Sequence, residues 1–241
     1  MKNKEEMSFL DHLEILRWHL IRSGIAILLF SILAFIFKEI IFDVVLLAPK
    51  DPNFLTYRFL CNISQALGLG DALCIKESPF SLMNINMAGQ FSAHLLTSFY
   101  AGFILAFPYV FWEIWRFVLP ALKEKEAKVS RGIVFFSSLL FLTGVIFGYF
   151  VIAPLSINFL GSYQVSQTVA NQISLTSFIS TVTTISLANG IIFELPILVY
   201  FLTKIGLLTP EFMRTYRRHA MVITLILSAI IPPPDITSQI L

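Results

Sequence analysis

Long apolar runs without a charged side chain dominate the pattern of hydrophobic and polar positions along the 241-residue chain. No Asp, Glu, Lys or Arg lies between Ser78 and Trp112, and none lies between Gly132 and Phe193. Because roughly 20 mostly apolar residues cross a bilayer as a helix, the second run can hold two spanning helices and a turn. The polar segment Gly161 to Ser177, rich in Ser, Gln and Asn, divides this run and predicts the turn.

These runs predict an all-α, polytopic transmembrane bundle that forms a single domain over residues 1–241. The five predicted spans are 18–37, 92–112, 133–153, 178–203 and 219–232, of which the fifth is short. No small-residue cleavage site follows the first apolar stretch. We therefore expect this stretch to stay in place as a span and not to be removed as a signal peptide.

The Lys and Arg residues are unevenly distributed among the connections between these spans. Residues 113–131 carry five of them and residues 204–218 carry four, whereas residues 154–177 carry none. Basic residues concentrate in cytoplasmic connections. We therefore expect both basic connections and the N-terminus on the cytoplasmic side, and the loops 38–91 and 154–177 outside.

Composition argues against several other classes of protein. Hydrophobic residues make up 56% of the chain and charged residues 13%, and the mean hydropathy is +0.79, which is atypical of disordered chains and soluble enzymes. The net charge of +2 provides no basic field for a nucleic acid. The sequence has no phosphate-binding loop, metal-ligand spacing or nucleophile motif, so we expect no enzyme, metal or cofactor.

One carboxylate, Glu194, lies inside a predicted span, in the segment NGIIFELPIL. A charge at that depth costs several kcal/mol unless it is paired, protonated or facing water, so we interpret Glu194 as a functional residue. Pro196 removes a helical donor two residues later and can leave carbonyl groups free near the acid. The alternative is a protonated Glu194 that only holds a neighbouring helix.

Small residues at a spacing of four indicate close helix packing. Gly144 and Gly148 lie in the third predicted span, and Ser186 and Gly190 repeat the spacing in the fourth. We expect these pairs to pack helices of the same chain against each other. Contact with a partner helix is the alternative.

Both cysteines, Cys61 and Cys74, fall in the predicted outside loop 38–91. In an oxidising compartment they could form a disulfide that staples the long loop. Two unpaired thiols are an equally weighted alternative, so the sequence leaves the redox state open.

Five short motifs follow one another along the chain. They are HLEILR at 12–17, the run from Pro108 through Trp115, Phe117 and Pro120 to Glu126, YFVIAP at 149–154, FELP at 193–196 and PPD at 233–235. In order and spacing they resemble TatC, the polytopic core of the twin-arginine protein translocase. The resemblance implies a concave, glove-like bundle of six helices. Because the sequence ends at Leu241, where the sixth helix would start, we expect a truncated sequence.

The resemblance implies a receptor for signal peptides with two consecutive arginines, which exports folded proteins using the proton-motive force. The implied partners are TatA-like and TatB-like single-span subunits, twin-arginine signal peptides, lipid and further copies of the chain. The implied location is the inner membrane of a bacterium. The residues implied for signal-peptide binding are Glu126, Phe117, Glu14 and Arg17. The residues implied for the concave face and partner contacts are Glu194, Pro196, Pro49 and Asp235.

The first motif departs from the family pattern His-Leu-x-Glu-Leu-Arg, because Ile15 stands where the family has its acid. The neighbouring Glu14 points about 100° away around a helix and is not a simple substitute. Three interpretations stay open: Glu14 reaches round through the interface, Glu126 acts alone, or the sequence carries a substitution.

Two other functions are compatible with the residues alone. A small proton-coupled solute transporter would use Glu194 as its titrating carboxylate, although the internal repeats usual in such folds are not found. A membrane scaffold would use Glu194 only to hold helices together. Of the three, a receptor alone should distinguish twin-Arg from twin-Lys signal peptides.

Overall fold

The structure, a computed structural model, describes residues 9–68, 70–71, 74–75, 80–121, 132–164, 166, 168, 171–204, 206, 208–209, 211–212, 214–219 and 221–222. The α-helices are α1 (Phe9–Ile36), α2 (Leu55–Ala66), α3 (Gly89–Val118), α4 (Ile133–Phe147), α5 (Ala153–Ser162), α6 (Leu175–Phe193) and α7 (Leu195–Lys204). Two short strands, β1 (Ser81–Met83) and β2 (Gln172–Ser174), pair in parallel. A π-helical segment, Gly148–Ile152, joins α4 to α5.

Four segments of the described residues are long and apolar enough to cross a membrane. They are Leu13–Ile36, Gly89–Val118, Ile133–Ser162 and Leu175–Thr203. Each overlaps one of the first four predicted spans, whereas most of the fifth, 219–232, lies outside the described residues. The predicted polytopic helical bundle is thus confirmed.

The helices extend further than the apolar runs predict. α3 continues to Val118, so Glu113, which the sequence analysis assigns to a connection, is helical. Pro154 stands in the first turn of α5, where its missing N–H group is not needed, and this helix continues to Ser162. The loops predicted at 38–91 and 154–177 therefore contain helices and strands of their own.

The two pairs of closely packed helices are α1 with α3 and α4 with α6, and α3 contacts the second pair. His19 near the start of α1 meets Glu113 near the end of α3, and Phe35 near the end of α1 stacks on His94 near the start of α3. α1 and α3 are therefore antiparallel. We name the end where α1 begins and α3 ends the basic end, and the opposite end, with α2, β1 and β2, the loop end.

The spaced small residues bring α4 and α6 into close contact. A Cβ atom at Gly144 would lie 2.6 Å from the backbone oxygen of Asn189, and one at Gly190 would lie 2.9 Å from the Phe141 ring. A side chain at Gly148 would likewise meet the backbone of Ser186, 3.0 Å from its Cα atom. The expected packing between helices of the same chain is confirmed. At these three glycines the two helices are so close that only the backbone of the glycine fits between them.

The loop end is tied together by Tyr57 of α2. Its hydroxyl lies 3.0 Å from the carbonyl oxygen of Pro49 and 2.9 Å from that of Pro154, within hydrogen-bond distance of both. Burial raises the pKa of Tyr57, so the hydroxyl stays protonated and can donate. A disulfide between Cys61 and Cys74 joins α2 to the chain that follows it.

Candidate functional site

A buried carboxylate lies at the basic end, where α1 meets α3. Glu113 is 1% exposed, and its Oε2 atom is hydrogen-bonded to Nδ1 of His19. The Tyr109 hydroxyl donates a hydrogen bond to Oε1 at 3.0 Å, and Arg116 Nη1 lies 3.7 Å from the same oxygen. We name His19, Tyr109, Glu113 and Arg116 the Glu113 cluster. Both oxygens of this acid are thus engaged, as a buried carboxylate requires.

The signal-peptide residues implied by the family resemblance fall on both helices that carry the Glu113 cluster. The ring of Phe117 lies edge-on to that of His19, with 6.1 Å between the ring centroids. Glu14 and Arg17 are exposed near the start of α1. The structure therefore brings Phe117 against α1, the helix that also carries these two side chains. Glu126 lies outside the described residues.

Glu194 stands at the break between α6 and α7. α6 ends at Phe193, α7 begins at Leu195, and Pro196 occupies the first turn of α7. The hydroxyl of Ser137, a fully buried residue of α4, donates a hydrogen bond to Oε2 of Glu194. The backbone of Phe141 also lies near this carboxylate, but the other oxygen, Oε1, is buried and has no partner that meets hydrogen-bond geometry within the described part of the chain. One face of the acid is therefore bound to α4, and the other retains unused acceptor capacity.

The remaining residues implied for the concave face are dispersed. Pro49 is buried at the loop end beneath the Tyr57 hydroxyl, and Pro196 is exposed beside Glu194. Asp235 lies outside the described residues. Pro49 and Glu194 thus belong to different parts of the bundle.

Sequence reasoning missed His19, Tyr109 and Glu113 because Glu113 was counted as one charge of a basic connection. The sequence spacing of the three cluster residues on α3 could have indicated that they lie together. Tyr109, Glu113 and Arg116 stand at intervals of four and three residues, which place them on one face of a helix. An acid flanked in this way by a tyrosine and an arginine is more consistent with a helix end than with a solvated loop.

These features define a class: an integral membrane protein whose bundle holds a buried acid and a half-buried one and carries a folded, disulfide-bonded loop at one end. The sequence profile of the family described as Sec-independent protein translocase protein (TatC) matches residues 11–241. The chain belongs to the TatC family, whose members are named as components of a protein translocase.

Similar proteins cover nearly the whole chain. The Sec-independent protein translocase protein TatC of Blattabacterium sp. subsp. Periplaneta americana is 40% identical over 100% of this chain and 91% of its own length. That of Aquifex aeolicus is 34% identical over 98% of this chain and 88% of its own length. A crystal structure of the twin arginine translocase receptor TatC superposes with a TM-score of 0.72, at 33% identity, over 95% of this chain and 92% of that one. The protein is therefore a component of a membrane translocase, and its role is transport.

Proposed function

We propose that the chain is the signal-peptide receptor and core subunit of a twin-arginine translocase that exports folded proteins with the proton-motive force. The observation that carries this proposal is the likeness to a solved twin arginine translocase receptor, with a TM-score of 0.72 and 33% identity over 95% of the chain. At 95% coverage of the chain, the likeness leaves out too few residues to omit any of the four membrane segments, each of which has at least 24 residues. It favours protein export over the solute-transporter alternative.

In this proposal the two arginines of the signal peptide dock at the basic end against Glu126. A guanidinium group offers a planar fork of donors that matches both oxygens of a carboxylate, whereas a lysine offers a point charge. Glu14, Arg17 and Phe117 flank the site. Supporting observations are the exposure of Glu14 and the contact of Phe117 with α1. An exposed ion pair of this kind contributes about 1 kcal/mol or less, and desolvation by the docked peptide raises its value.

The apolar segment of the signal peptide and the partner helices would lie along the membrane face near Glu194. Ile191 and Leu195, which flank this acid in sequence, are 54% and 51% exposed. TatA-like and TatB-like single-span subunits could offer a polar group to the second oxygen of Glu194, beside Pro196. Pro49 and Asp235 would contribute partner contacts elsewhere, and copies of the chain would associate. The protein would lie in a bacterial inner membrane with its basic end in the cytoplasm.

The test measures retention of the chain, purified in detergent with its partner subunits, on immobilised twin-Arg and twin-Lys signal peptides. We expect the wild type to prefer the twin-Arg peptide and Glu126→Gln to lower its retention by about five-fold to tenfold, the loss of roughly 1 kcal/mol. Glu211→Gln is the matched control, because Glu211 is an exposed acid in the other basic connection. Unchanged retention of the twin-Arg peptide by Glu126→Gln would show that this acid does not bind the arginines.

A further inference from the structure

α1 is the least enclosed membrane helix of the described bundle. In its most apolar stretch 11% of positions are buried, against 33% in the corresponding stretch of α3. Its main neighbour is α3. Among the described residues, the direction in which the start of α1 points therefore depends mainly on its contacts with α3.

Three kinds of contact lie along the seam between α1 and α3. At the loop end the Phe35 and His94 rings stack with centroids 3.9 Å apart. In the middle the backbones touch, because a Cβ atom at Gly102 would lie 2.5 Å from the backbone nitrogen of Ser31. At the basic end His19 is bound to the buried carboxylate of Glu113. This last contact joins two titratable side chains across the seam.

The members of the Glu113 cluster differ in whether they connect α1 to α3. Tyr109 and Arg116 lie on α3 together with Glu113, so their bonds satisfy the acid without attaching it to another helix. His19 is the member that comes from α1, and its bond crosses 94 positions of sequence. Loss of His19 would leave Oε2 buried without its partner, and such loss is costly for a buried carboxylate.

The His19–Glu113 bond lies one helical turn from Phe117, a residue implied for signal-peptide binding. Ile15 precedes His19 by four residues and Phe117 follows Glu113 by four, so each lies one helical turn nearer to the basic end. Because the helices are antiparallel, this next layer is where the family's acid would stand. The Ile15 side chain offers no polar group there, and the nearest polar link between α1 and α3 that the structure describes is the His19–Glu113 bond.

We propose that His19 and Glu113 are positioning residues. Their bond fixes the first turns of α1 on α3 and so holds the exposed Glu14 and Arg17 in register with Phe117 for signal-peptide docking. This inference rests on the proposed receptor function. It assigns no contact between the buried pair and the peptide, because Glu113 is 1% exposed.

The first measurement is the spacing of α1 and α3 at their two ends, read from spin-label distances in the full chain. Labels at Trp18→Cys and Ile114→Cys report the basic end, and labels at Ile36→Cys and Phe91→Cys report the loop end. All four native side chains are at least 47% exposed. Cys61 and Cys74 are bonded to each other and do not take the label. We expect His19→Ala to broaden the distances at the basic end and to leave those at the loop end unchanged.

The second measurement is the retention of the same variants on the twin-Arg peptide. We expect His19→Ala to lower retention by about five-fold or more and His19→Gln, which keeps a donor for Glu113, to stay within about two-fold of wild type. Tyr109→Phe is the matched control. It removes a hydrogen bond from the same carboxylate within α3, so a purely structural need to satisfy Glu113 would make it equal to His19→Ala, whereas positioning predicts near wild-type behaviour.

Three results would overturn the inference: unchanged distances in His19→Ala, broadened distances with full peptide retention, or equal losses in His19→Ala and Tyr109→Phe. If His19→Ala lacks a folded fraction, His19→Leu, which fills the space but offers no donor to Glu113, replaces it in both measurements, and a loss equal to that of Tyr109→Phe would overturn the inference. A wild type that fails to distinguish twin-Arg from twin-Lys peptides would refute the receptor function instead. The distance measurement would then still decide whether the pair fixes α1.

Discussion

Tyr57→Phe isolates one interaction that ties the loop end together. The Tyr57 side chain is 4% exposed, and its hydroxyl is within hydrogen-bond distance of the carbonyl oxygens of Pro49 and Pro154. Phenylalanine keeps the ring and its packing against Phe54, 6.0 Å away between centroids, and removes only the oxygen. The substitution therefore measures the bridge between the segment before α2 and the start of α5.

The expected cost follows from the two contacts. One hydrogen bond of a buried hydroxyl contributes about 1 kcal/mol net, and carbonyl groups left unsatisfied by its loss raise the cost. Because the hydroxyl has one proton, the two carbonyl groups share a single donor, and its loss together with a carbonyl left unsatisfied gives about 2 kcal/mol in the free energy of unfolding. For a protein of this size that corresponds to a fall of about 4 to 8 °C in Tm.

The assay is thermal unfolding of the purified protein in detergent, followed by the helical circular dichroism signal. Tyr163→Phe is the control, because Tyr163 is 63% exposed and packs on Phe159 through its ring. We expect the control to melt with the wild type. If Tyr57→Phe also melts within about 1 °C of the wild type, the bridge does not stabilise the loop end as argued.

The remaining predictions concern stability and are checked by the same melts. Gly144→Ala should lose about 1 to 3 kcal/mol, because its Cβ atom would lie 2.6 Å from the backbone oxygen of Asn189, whereas Gly24→Ala, with open space around it, should lose nothing. A Gly144→Ala variant as stable as Gly24→Ala would contradict the close packing of α4 on α6. Replacing Cys61 and Cys74 by serine should cost about 3 kcal/mol through the loop that their disulfide closes. A reductant should lower the Tm of the wild type and leave that of the double variant unchanged.

The buried Glu113 and the half-buried Glu194 illustrate different uses of a carboxylate in a bundle. Glu113 has partners on both oxygens and belongs to the seam of α1 and α3. Glu194 stands at a helix break with Ser137 on one oxygen, and its second oxygen is buried and lacks a hydrogen-bond partner among the described residues. A satisfied acid is suited to holding helices, whereas one with spare acceptor capacity is suited to receiving a partner's polar group. The proposed roles follow this difference.

The sequence by itself determined the membrane segments, because insertion depends on the apolar content of each stretch against lipid, a property of consecutive residues. Gly144, Gly148, Ser186 and Gly190 could likewise be assigned to helix packing from their spacing. The motifs around Phe117, Glu126 and Glu194 were sufficient to place the chain in its family. Helix ends were less well determined, since Pro154 and Glu113 look like breaks in a pattern but are compatible with a continuing helix.

Only the tertiary structure decided which polar groups meet. His19 binds Glu113 across 94 positions of sequence, Tyr57 reaches Pro154 across 97, and Ser137 reaches Glu194 across 57. Apolar helix faces are nearly equivalent towards lipid, so hydropathy does not determine the rotation or neighbours of a helix. The rotation and the neighbours of each helix depend on where two backbones can come close together, as they do at Gly102 and Gly144. The polar groups then pair where the helices are in contact.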